Sequence, residues 1–342
     1  MHGIGINGTG RIGRLLLRKL FEPSSPIAGK VKAVNSLYPP ETVAHLLRYD
    51  SIHGKWKADI AVEGETLRIN GHVLHVFHCQ HPADIPWRSA GVDTVAEATG
   101  KFTDRQGASG HLASGAARVV VTAPGRDLDC TLVMGVNDDR YDPARHRLVS
   151  AASCTTQAVA PVLHALDQRF GVESGWVTSI HAFTNDQRHL DNPHADLRRA
   201  RACTHSIIPT SSGIGKALKQ VLPHLSDALR GSAVRIPVAD VSLADITLLL
   251  RREASLGEVR EAFAQSPISR YVEWTTEPLV SADYVGCSRS SVIDGLTAEC
   301  AGRQVKLMAW YDNEWGYTSR VADLLEHMAA VETMELKAGA AK

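Results

Sequence analysis

The 342-residue sequence has no net charge, because 37 Lys and Arg residues balance 37 Asp and Glu residues. A neutral chain has no basic field to recruit nucleic acid or an anionic membrane, so we expect neither as a partner. Long apolar runs are also absent: MHGIGINGTG lacks the pattern of a signal peptide, and LLLRKLF is interrupted by charge. These absences predict a cytoplasmic protein that acts on small molecules.

Paired cysteines are another absence. The six cysteines are scattered without a CxxC pair, at residues 79, 130, 154, 203, 287 and 300, which in a chain of this size indicates reduced thiols. Several histidines surround Cys79, but alternation along a strand would send His72 and His78 to one face and His75 to the other. We therefore expect no metal site there.

Strand-like and helix-like segments alternate through the first 153 residues, beginning with IGIN, RIGRLLLRKLF and VKAVN. This alternation predicts an α/β domain with a doubly wound parallel sheet, and an Asn-Gly turn predicts a hairpin over 66–77. Longer strands with fewer helices predict an α+β catalytic domain with a mixed sheet over 154–317. WGYTSRVADLLEHMAA predicts an amphipathic helix followed by an Ala/Lys-rich tail. Residues 318–338 are assigned to the first domain, with 1–153, and residues 339–342 to the tail.

A glycine-rich turn follows the first predicted strand. INGTGRIGR places Gly8, Gly10 and Gly13 in GxGxxG spacing directly before a predicted helix. Gly8 permits a tight turn, Gly10 lets the backbone approach a pyrophosphate, and Gly13 allows close packing. An ordinary glycine-rich turn is the alternative. The position between strand and helix favours a Rossmann-type domain that binds NAD or NADP at the helix start.

The second predicted strand lacks the acid that usually holds the adenine ribose of NAD. It ends in Asn35 and Ser36. A carboxylate there would repel a 2′-phosphate, so Ser36 removes the main electrostatic penalty against NADP. The sequence predicts tolerance of NADP, and the alternative is that NAD binds through Asn35 alone.

Cys154 stands in SAASCTTQAVAP, between the end of a predicted strand and the start of a predicted helix. A helix start favours a thiolate, which makes Cys154 a candidate nucleophile, with a buried structural cysteine as the alternative. The candidate base is His181, at the end of the strand-like run GWVTSIHAF. Spacing alone does not select it among 16 histidines.

Several motifs resemble those of the phosphorylating glyceraldehyde-3-phosphate dehydrogenase family along nearly the whole chain: INGTGRIGR, HLLRYDSIHGKW, SCTTQ, HAFTNDQ, DLRRARA, IIPTSSGIGKAL, AVRIP and WYDNEWGYTSR. The resemblance implies reversible oxidation of glyceraldehyde 3-phosphate with inorganic phosphate, hydride transfer to NAD or NADP, and a homotetramer. Ser36 and the segment LDNPH resemble the NADP-tolerant bacterial branch that works in the gluconeogenic direction.

The resemblance also implies residue roles. Cys154 would attack the aldehyde, and His181 would act as the base. The cofactor-binding residues it implies are Gly8, Gly10, Arg11, Ile12, Gly13, Asn35, Ser36, Thr122, Asn313 and Tyr317. Those implied for the substrate phosphate are Thr184 and Arg235, and those for the attacking phosphate are Ser153, Thr155, Arg199, Ser212 and Gly213.

Several residues depart from the family pattern, among them Ala239 and Asp240 in VADVS, and residues 265–275 form a shorter segment than is usual. Gln157 and Ala158 replace the usual Asn and Cys beyond the nucleophile, and Thr9 replaces a usual Phe in the glycine loop. Two other functions stay open, and Gln157 and Thr9 motivate the second of them. One is an erythrose-4-phosphate dehydrogenase, whose thioester is released by water, and the other is a non-catalytic nucleotide-binding member of the family.

Overall fold

The structure, a computed structural model, describes residues 3–265 and 267–340. The chain divides into two compact units. The first comprises residues 1–132, 137–153 and 318–342, and the second comprises residues 133–136 and 154–317. In the described ranges, no helix combines the length and the apolar character that a bilayer crossing requires.

Strands and helices alternate in the first unit. Its strands are β1 (Gly3–Asn7), β2 (Val31–Asn35), β3 (Tyr49–Asp50), β4 (Gly54–Lys55), β5 (Ile60–Glu63), β6 (Thr66–Ile69), β7 (His72–Phe77), β8 (Val92–Glu97), β9 (Arg118–Val121), β10 (Cys130–Thr131) and β11 (Leu148–Ser150). Its helices up to this point are α1 (Arg11–Leu20), α2 (Pro40–Arg48) and α3 (Arg105–Ala113), with 3₁₀ turns at Ala28–Lys30, Pro82–Asp84 and Asp138–Arg140.

The main sheet of the first unit has the order β10-β11-β9-β8-β1-β2-β7-β6-β5. Every pair from β10 to β7 is parallel, whereas β6 is antiparallel to β7 and β5. The chain proceeds from β1 through β2 and β7, and then on the other side of β1 through β8, β9 and β11. The strand order therefore reverses between β1 and β8, as in a doubly wound dinucleotide-binding sheet, and the predicted fold class is confirmed.

The buried strands explain why this sheet forms. All five residues of β1 are buried, because a parallel sheet is covered on both faces and its strands are apolar on both. The predicted hairpin over 66–77 is also confirmed, since β6 and β7 pair antiparallel. Its turn residues Asn70 and Gly71 have φ of 48° and 82°, the positive values that a two-residue primed turn requires.

The second unit contains a separate sheet. Its strands are β12 (Val172–Ala182), β13 (Ile208–Thr210), β14 (Leu229–Ile236), β15 (Ser242–Leu250), β16 (Val272–Thr275), β17 (Ser291–Asp294), β18 (Glu299–Ala301) and β19 (Gln304–Tyr311). Its helices are α4 (Cys154–Phe170), α5 (Ile214–Val221) and α6 (Leu256–Ala264), with 3₁₀ turns at Pro223–Leu225, Ile268–Arg270 and Ser281–Tyr284.

The sheet of the second unit has the order β13-β14-β12-β15-β19-β17-β16, with β18 beside β19. The pairs β12–β14 and β16–β17 are parallel and the others are antiparallel, so the predicted mixed sheet is confirmed. Helix α4 packs on β12 and β15 and also contacts α5 and α6. The three helices therefore cover one face of the sheet.

The final helix, α7, extends over Trp315–Ala340. Its buried residues Val321, Leu324, Leu325 and Met328 have helical spacing and confirm the predicted amphipathic helix. The helix continues into the predicted Ala/Lys-rich tail as far as residue 340, because VETMELKA consists mainly of strong helix formers. Residues 341 and 342 of the predicted tail 339–342 lie outside the described residues.

Candidate active site

Four adjacent strands of the second unit, β14, β12, β15 and β19, bring polar side chains to one end of the sheet. The register pairs His181 on β12 with Arg235 on β14, and Ser242 on β15 with Tyr311 on β19. Helix α4 begins at Cys154 and packs on the same sheet. Strand register therefore assembles residues that are far apart in sequence.

The predicted nucleophile and base are in contact. The Sγ atom of Cys154 lies 3.3 Å from Nε2 of His181. Nδ1 of His181 lies 2.7 Å from the carbonyl oxygen of Ala182 and 2.5 Å from Nη1 of Arg235, and both of these contacts are on the ring nitrogen that does not face the thiol. Nε2 is therefore the ring nitrogen that faces the thiol, the position that a base requires.

Electrostatics keep this pair neutral. Burial, aided by the positive charge of Arg235, lowers the pKa of His181 to about 3. Burial raises the pKa of the Cys154 thiol, and Arg235 and Thr155 oppose this rise only in part. The helix start favours a thiolate, but burial outweighs it here.

Tyr311 is a site residue that sequence reasoning missed. Its hydroxyl lies 3.1 Å from Oγ1 of Thr155 and 2.9 Å from Oγ of Ser179. Its ring meets the ring of His181 edge-on, with centroids 6.0 Å apart. Tyr311 thus fixes the first turn of α4 beside the nucleophile. The sequence signal for Tyr311 was its position as the second residue of the motif WYDNEWGYTSR, which also contains Asn313.

Ser242, also missed, orients the side chain of Asn313. The Ser242 hydroxyl donates to Oδ1 of Asn313 at 2.6 Å and accepts from the backbone N–H of Ala182 at 3.1 Å. Asn313 is buried. Because its Oδ1 is engaged, its NH₂ group is the part of the amide that is turned toward other partners. Ser242 is the last residue of the segment VADVS, but sequence reasoning assigned it no role.

Two arginines create a centre of positive charge in the same unit. Nη1 of Arg235 donates to the carbonyl of Ala182 at 2.9 Å and lies 2.5 Å from Nδ1 of His181. Burial lowers the pKa of Arg235, and the positive charge of Arg199 lowers it further. Its Nε is buried with no hydrogen-bond partner among the described residues. The two positive charges and the unsatisfied Nε donor of Arg235 favour binding of an anion.

Arg199 is held by side chains of its own loop. Its Nε donates to Oγ1 of Thr210 at 3.1 Å, and its Nη1 forms an ion pair with Asp186. Thr210 in turn donates to Asp196 at 2.8 Å. These contacts leave Nη2 as the part of the Arg199 fork not used in them. Asp186 and Thr210 are further residues that the sequence did not single out.

The other predicted phosphate residues lie in loops or beside the first turn of a helix. The backbone N–H of Thr184 donates to Oε1 of Gln187 at 3.1 Å. Gly213 precedes the first turn of α5, where Oγ of Ser212 accepts from the N–H of Ile214 at 3.3 Å. Ser153 directly precedes Cys154 in the chain. Their predicted roles remain proposals.

The glycine loop of the first unit fits a dinucleotide. Gly8 has φ of +98°, and a Cβ on Gly13 would lie 1.9 Å from the carbonyl oxygen of Gly8. Strand and helix therefore approach too closely for any side chain at position 13. A Cβ on Gly10 would meet nothing within 4 Å, which leaves open space at the start of α1, where a pyrophosphate binds in this fold.

Two of the predicted adenosine-side residues are engaged within the protein. Nδ2 of Asn35 donates to Oδ1 of Asn7 at 2.8 Å and to the carbonyl of Cys79 at 2.9 Å, and its Oδ1 accepts from the N–H of Cys79 at 2.9 Å. The hydroxyl of Ser36 lies 2.7 Å from that of Thr9. Asn35 is therefore a poor substitute for the missing acid, and an uncharged hydroxyl pair ends the strand.

The remaining predicted cofactor residues surround these loops or the thiol. Arg11 is paired with Asp50 and, although burial opposes it, holds the pKa of Asp50 at about 2. Ile12 is half-buried in the first turn of α1. Oγ1 of Thr122 donates to the carbonyl of Glu97 at 3.1 Å. Tyr317 is buried, and burial together with the nearby Cys154 raises its pKa.

The residues that depart from the family pattern are accommodated by the fold. Gln157 and Ala158 lie in the first turns of α4, and each is 1% exposed. Both therefore belong to the packing of α4, three and four residues beyond the nucleophile. Thr9 forms the hydroxyl contact with Ser36 described above.

The first unit contains a doubly wound dinucleotide sheet, and the second contains a thiol–imidazole pair with two arginines. These two features define a class of protein, the thiol-dependent nucleotide-linked dehydrogenases. Family models agree with this class. The model described as "Glyceraldehyde 3-phosphate dehydrogenase, NAD binding domain" matches residues 2–105, and that described as "Glyceraldehyde 3-phosphate dehydrogenase, C-terminal domain" matches residues 153–313. The chain belongs to the glyceraldehyde-3-phosphate dehydrogenase family.

Curated relatives span almost the whole chain. It is 48% identical over 331 residues to glyceraldehyde-3-phosphate dehydrogenase 2 of Bacillus subtilis (strain 168), covering 96% of each chain. It is 46% identical to glyceraldehyde-3-phosphate dehydrogenase 2 of Streptomyces avermitilis, covering 94% of this chain and 96% of the relative. It is 45% identical to glyceraldehyde-3-phosphate dehydrogenase of Geobacillus stearothermophilus, covering 96% of this chain and 98% of the relative.

Proposed function

We propose that this chain catalyses the reversible, phosphate-dependent oxidation of glyceraldehyde 3-phosphate to 1,3-bisphosphoglycerate, with NAD or NADP as hydride acceptor. The observation that carries the proposal is the 3.3 Å contact between Cys154 and His181 beside the half-buried Arg235. The names of relatives that are 45 to 48% identical support the choice of substrate.

The first half of the reaction needs one base and one nucleophile. His181 Nε2 takes the thiol proton as Cys154 Sγ forms a bond to the aldehyde carbon, and the same proton completes the hydroxyl of the hemithioacetal. The nicotinamide ring, when bound, supplies the acceptor for a hydride from that carbon. His181 then removes the hydroxyl proton, which leaves a thioester on Cys154. The backbone N–H at the start of α4 suits the developing oxyanion.

Phosphorolysis completes the cycle. An oxygen of inorganic phosphate forms a bond to the thioester carbon, the C–S bond breaks, and Cys154 leaves as a thiolate that His181 reprotonates. Arg199 would hold the attacking phosphate with Ser153, Thr155, Ser212 and Gly213. Arg235 would hold the substrate phosphate with Thr184. The proximity of the two guanidinium groups supports two anion seats in this unit.

The glycine loop would hold the pyrophosphate of NAD or NADP at the start of α1, with Arg11 and Ile12 in the first turn. Asn35, Ser36 and Thr122 would line the ribose positions, and Asn313 would bind the carboxamide near Tyr317. The engaged amide of Asn35 and the neutral Thr9–Ser36 pair support acceptance of NADP, because no acid faces a 2′-phosphate from these positions.

The competing functions are separated by two assays. Reduction of NAD and NADP is measured with glyceraldehyde 3-phosphate and with erythrose 4-phosphate, each with and without phosphate. We expect the triose phosphate with phosphate to be fastest, and equal rates without phosphate would indicate hydrolysis of the thioester instead. A Cys154 that a stoichiometric thiol reagent labels no faster than the other five cysteines would indicate a non-catalytic protein.

We further propose a homotetramer in the cytoplasm. All six cysteines are free, as in a reducing compartment. Trp176, on β12, is 52% exposed, and an open groove of the same sheet is lined by Glu173, Ser174, Trp176, Arg230, Thr247 and Gln304. A large exposed aromatic on a sheet face suits contact between subunits. Light scattering after size-exclusion chromatography should give four times the 37.0 kDa chain mass, and a monomer would contradict this.

A further inference from the structure

Four histidines lie along β7 and the turn that follows it, at positions 72, 75, 78 and 81, and the proposed chemistry uses none of them. His78 is the one at the carboxyl end of the strand. The register of β2 with β7 pairs Asn35 with Phe77, so the next residues, Ser36 and His78, leave the sheet side by side. His78 therefore stands beside the residue that ends the adenosine-side strand.

Both ring nitrogens of His78 face atoms that accept hydrogen bonds. Nδ1 lies 2.7 Å from the backbone carbonyl oxygen of Ser36, and Nε2 lies 2.7 Å from a carboxylate oxygen of Glu65. A carbonyl only accepts, and so does an exposed glutamate carboxylate at neutral pH. Because only an imidazolium donates from both ring nitrogens, this is the geometry of a positively charged His78.

The surroundings of His78 favour the charged ring. The hydrogen bond to Glu65 raises the pKa of His78 above its usual value, partial burial opposes the rise, and the Ser36 carbonyl and the charge of Glu65 add to it. Cys79, the next residue, adds no charge near neutral pH, because burial and the charge of Asp84 raise the pKa of its thiol. His78 therefore stays positively charged to a higher pH than an ordinary histidine does.

The position of this charge relates it to the cofactor. In a dinucleotide-binding sheet the end of the second strand faces the 2′-position of the adenine ribose, and a nearby arginine accommodates the 2′-phosphate of NADP. At this place Ser36 and Thr9 contribute hydroxyl groups and no charge. The imidazolium of His78 contacts Ser36, whereas Glu65 lies at the other ring nitrogen, farther from the strand end. The His78 side chain is 39% exposed, so a ligand can approach it.

We propose that His78 is a specificity-determining residue whose imidazolium attracts the 2′-phosphate of NADP, so that NADP binding weakens relative to NAD binding as the ring loses its proton. The proposal rests on the dinucleotide binding proposed above. A 2′-phosphate is an anion and is stabilised by a nearby positive charge, whereas the 2′-hydroxyl of NAD is neutral. Loss of the charge should therefore weaken binding of NADP and leave binding of NAD nearly unchanged.

The test measures the Kd values of NADP and NAD for the full chain by titration calorimetry between pH 7 and 8.5, without aldehyde. A phosphate ester keeps its charge over this range, because its second pKa is about 6. At pH 7 we expect His78→Gln to raise the ratio of Kd(NADP) to Kd(NAD) about fivefold. The wild-type ratio should rise toward that of His78→Gln as the pH increases. His78→Lys keeps a positive charge and should keep the ratio low throughout.

Two further variants separate charge from packing. His75→Gln is a matched control, because His75 is an exposed histidine of the same strand that stacks on Phe77, and its ratio should equal that of the wild type at every pH. Glu65→Gln should move the wild-type pH profile to lower pH, because it removes the main cause of the raised pKa of His78.

The outcomes distinguish this inference from the proposed function. A ratio that is the same in His78→Gln and the wild type, with both cofactors bound, would overturn the role of His78 and leave the proposed function intact. A ratio that changes with pH in His78→Gln as it does in the wild type would overturn it as well. Failure of the wild type to bind either cofactor would overturn both.

Discussion

The hydroxyl of Thr9, in the glycine loop, lies 2.7 Å from the hydroxyl of Ser36, at the end of β2. The two residues are 27 positions apart, and each departs from what the sequence pattern leads one to expect at its place. Ser36 is 2% exposed and also accepts from the N–H of Tyr38 at 3.2 Å. The pair therefore forms one neutral element at the site where most NAD enzymes have a carboxylate.

An acid at position 36 should restore selection against NADP. In Ser36→Asp we expect kcat/KM for NADP to fall about tenfold or more, because the new carboxylate would face the 2′-phosphate, while the value for NAD changes little. Steady-state kinetics with each cofactor measures this. Ser36→Ala, which removes the hydroxyl without adding charge, should keep the wild-type preference. An equal fall in kcat/KM for both cofactors in Ser36→Asp would mean that residue 36 does not distinguish a hydroxyl from a phosphate at the 2′-position of the cofactor.

Arg235 should control the reactivity of the thiol. Its positive charge lowers the pKa of Cys154, which burial raises, so Arg235→Gln should move that pKa further upward. At any pH below the thiol pKa less thiolate is then present, and alkylation of Cys154 by iodoacetamide should slow about tenfold. The wild-type rate should keep increasing with pH above neutrality. Faster labelling of the variant would contradict the assigned electrostatics.

Arg199 should act at the phosphorolysis step. In Arg199→Gln we expect KM for inorganic phosphate to rise about thirtyfold, since a charge-assisted hydrogen bond to phosphate is lost, while the pre-steady-state burst of NADH persists. Arg201 of the same segment is a matched control, because it pairs with Asp191 in an exposed ion pair. Arg201→Gln should behave like the wild type. Loss of the burst in Arg199→Gln would place Arg199 in the first half-reaction instead.

Substitution of two glycines in the same loop should affect different properties, stability at position 13 and NAD binding at position 10. A Cβ at position 13 would lie 1.9 Å from a backbone oxygen, whereas a Cβ at position 10 would meet nothing within 4 Å. We expect Gly13→Ala to lower the free energy of unfolding by about 2 to 3 kcal/mol. Gly10→Ala should leave apo stability nearly unchanged and weaken NAD binding. Chemical denaturation and calorimetry separate the two, and a stable Gly13→Ala would refute the close approach.

Local patterns in the sequence predicted much of this molecule. The GxGxxG turn, the Asn-Gly hairpin and the strand–helix junction at Cys154 each depend on neighbouring residues, so a short window contains the whole signal. The end of α7 was missed although its signal was local, because the Ala- and Lys-rich composition resembled a tail while its residues favour a helix.

Long-range contacts could not be predicted from local sequence patterns. Tyr311 reaches Thr155 across 156 positions, and Ser242 reaches Asn313 across 71. The first contact depends on how α4 packs on β19, and the second on the register between β15 and β19, and both depend on packing of the whole sheet. Oε2 of Glu97 lies 2.5 Å from Nδ2 of Asn7 and 2.9 Å from Nε2 of His111, and these contacts likewise follow from the pairing of β1 with β8 and from the packing of α3.

The central claim is that the sulfur of Cys154, with His181 as its base, carries the reaction. The most direct test is Cys154→Ser, measured by the rate of NAD reduction with glyceraldehyde 3-phosphate and phosphate, together with cofactor affinity. We expect kcat to fall about a thousandfold or more, because an alcohol is a far weaker nucleophile at neutral pH, while cofactor affinity and thermal stability are retained. A Cys154→Ser enzyme that turned over at the wild-type rate would contradict the account.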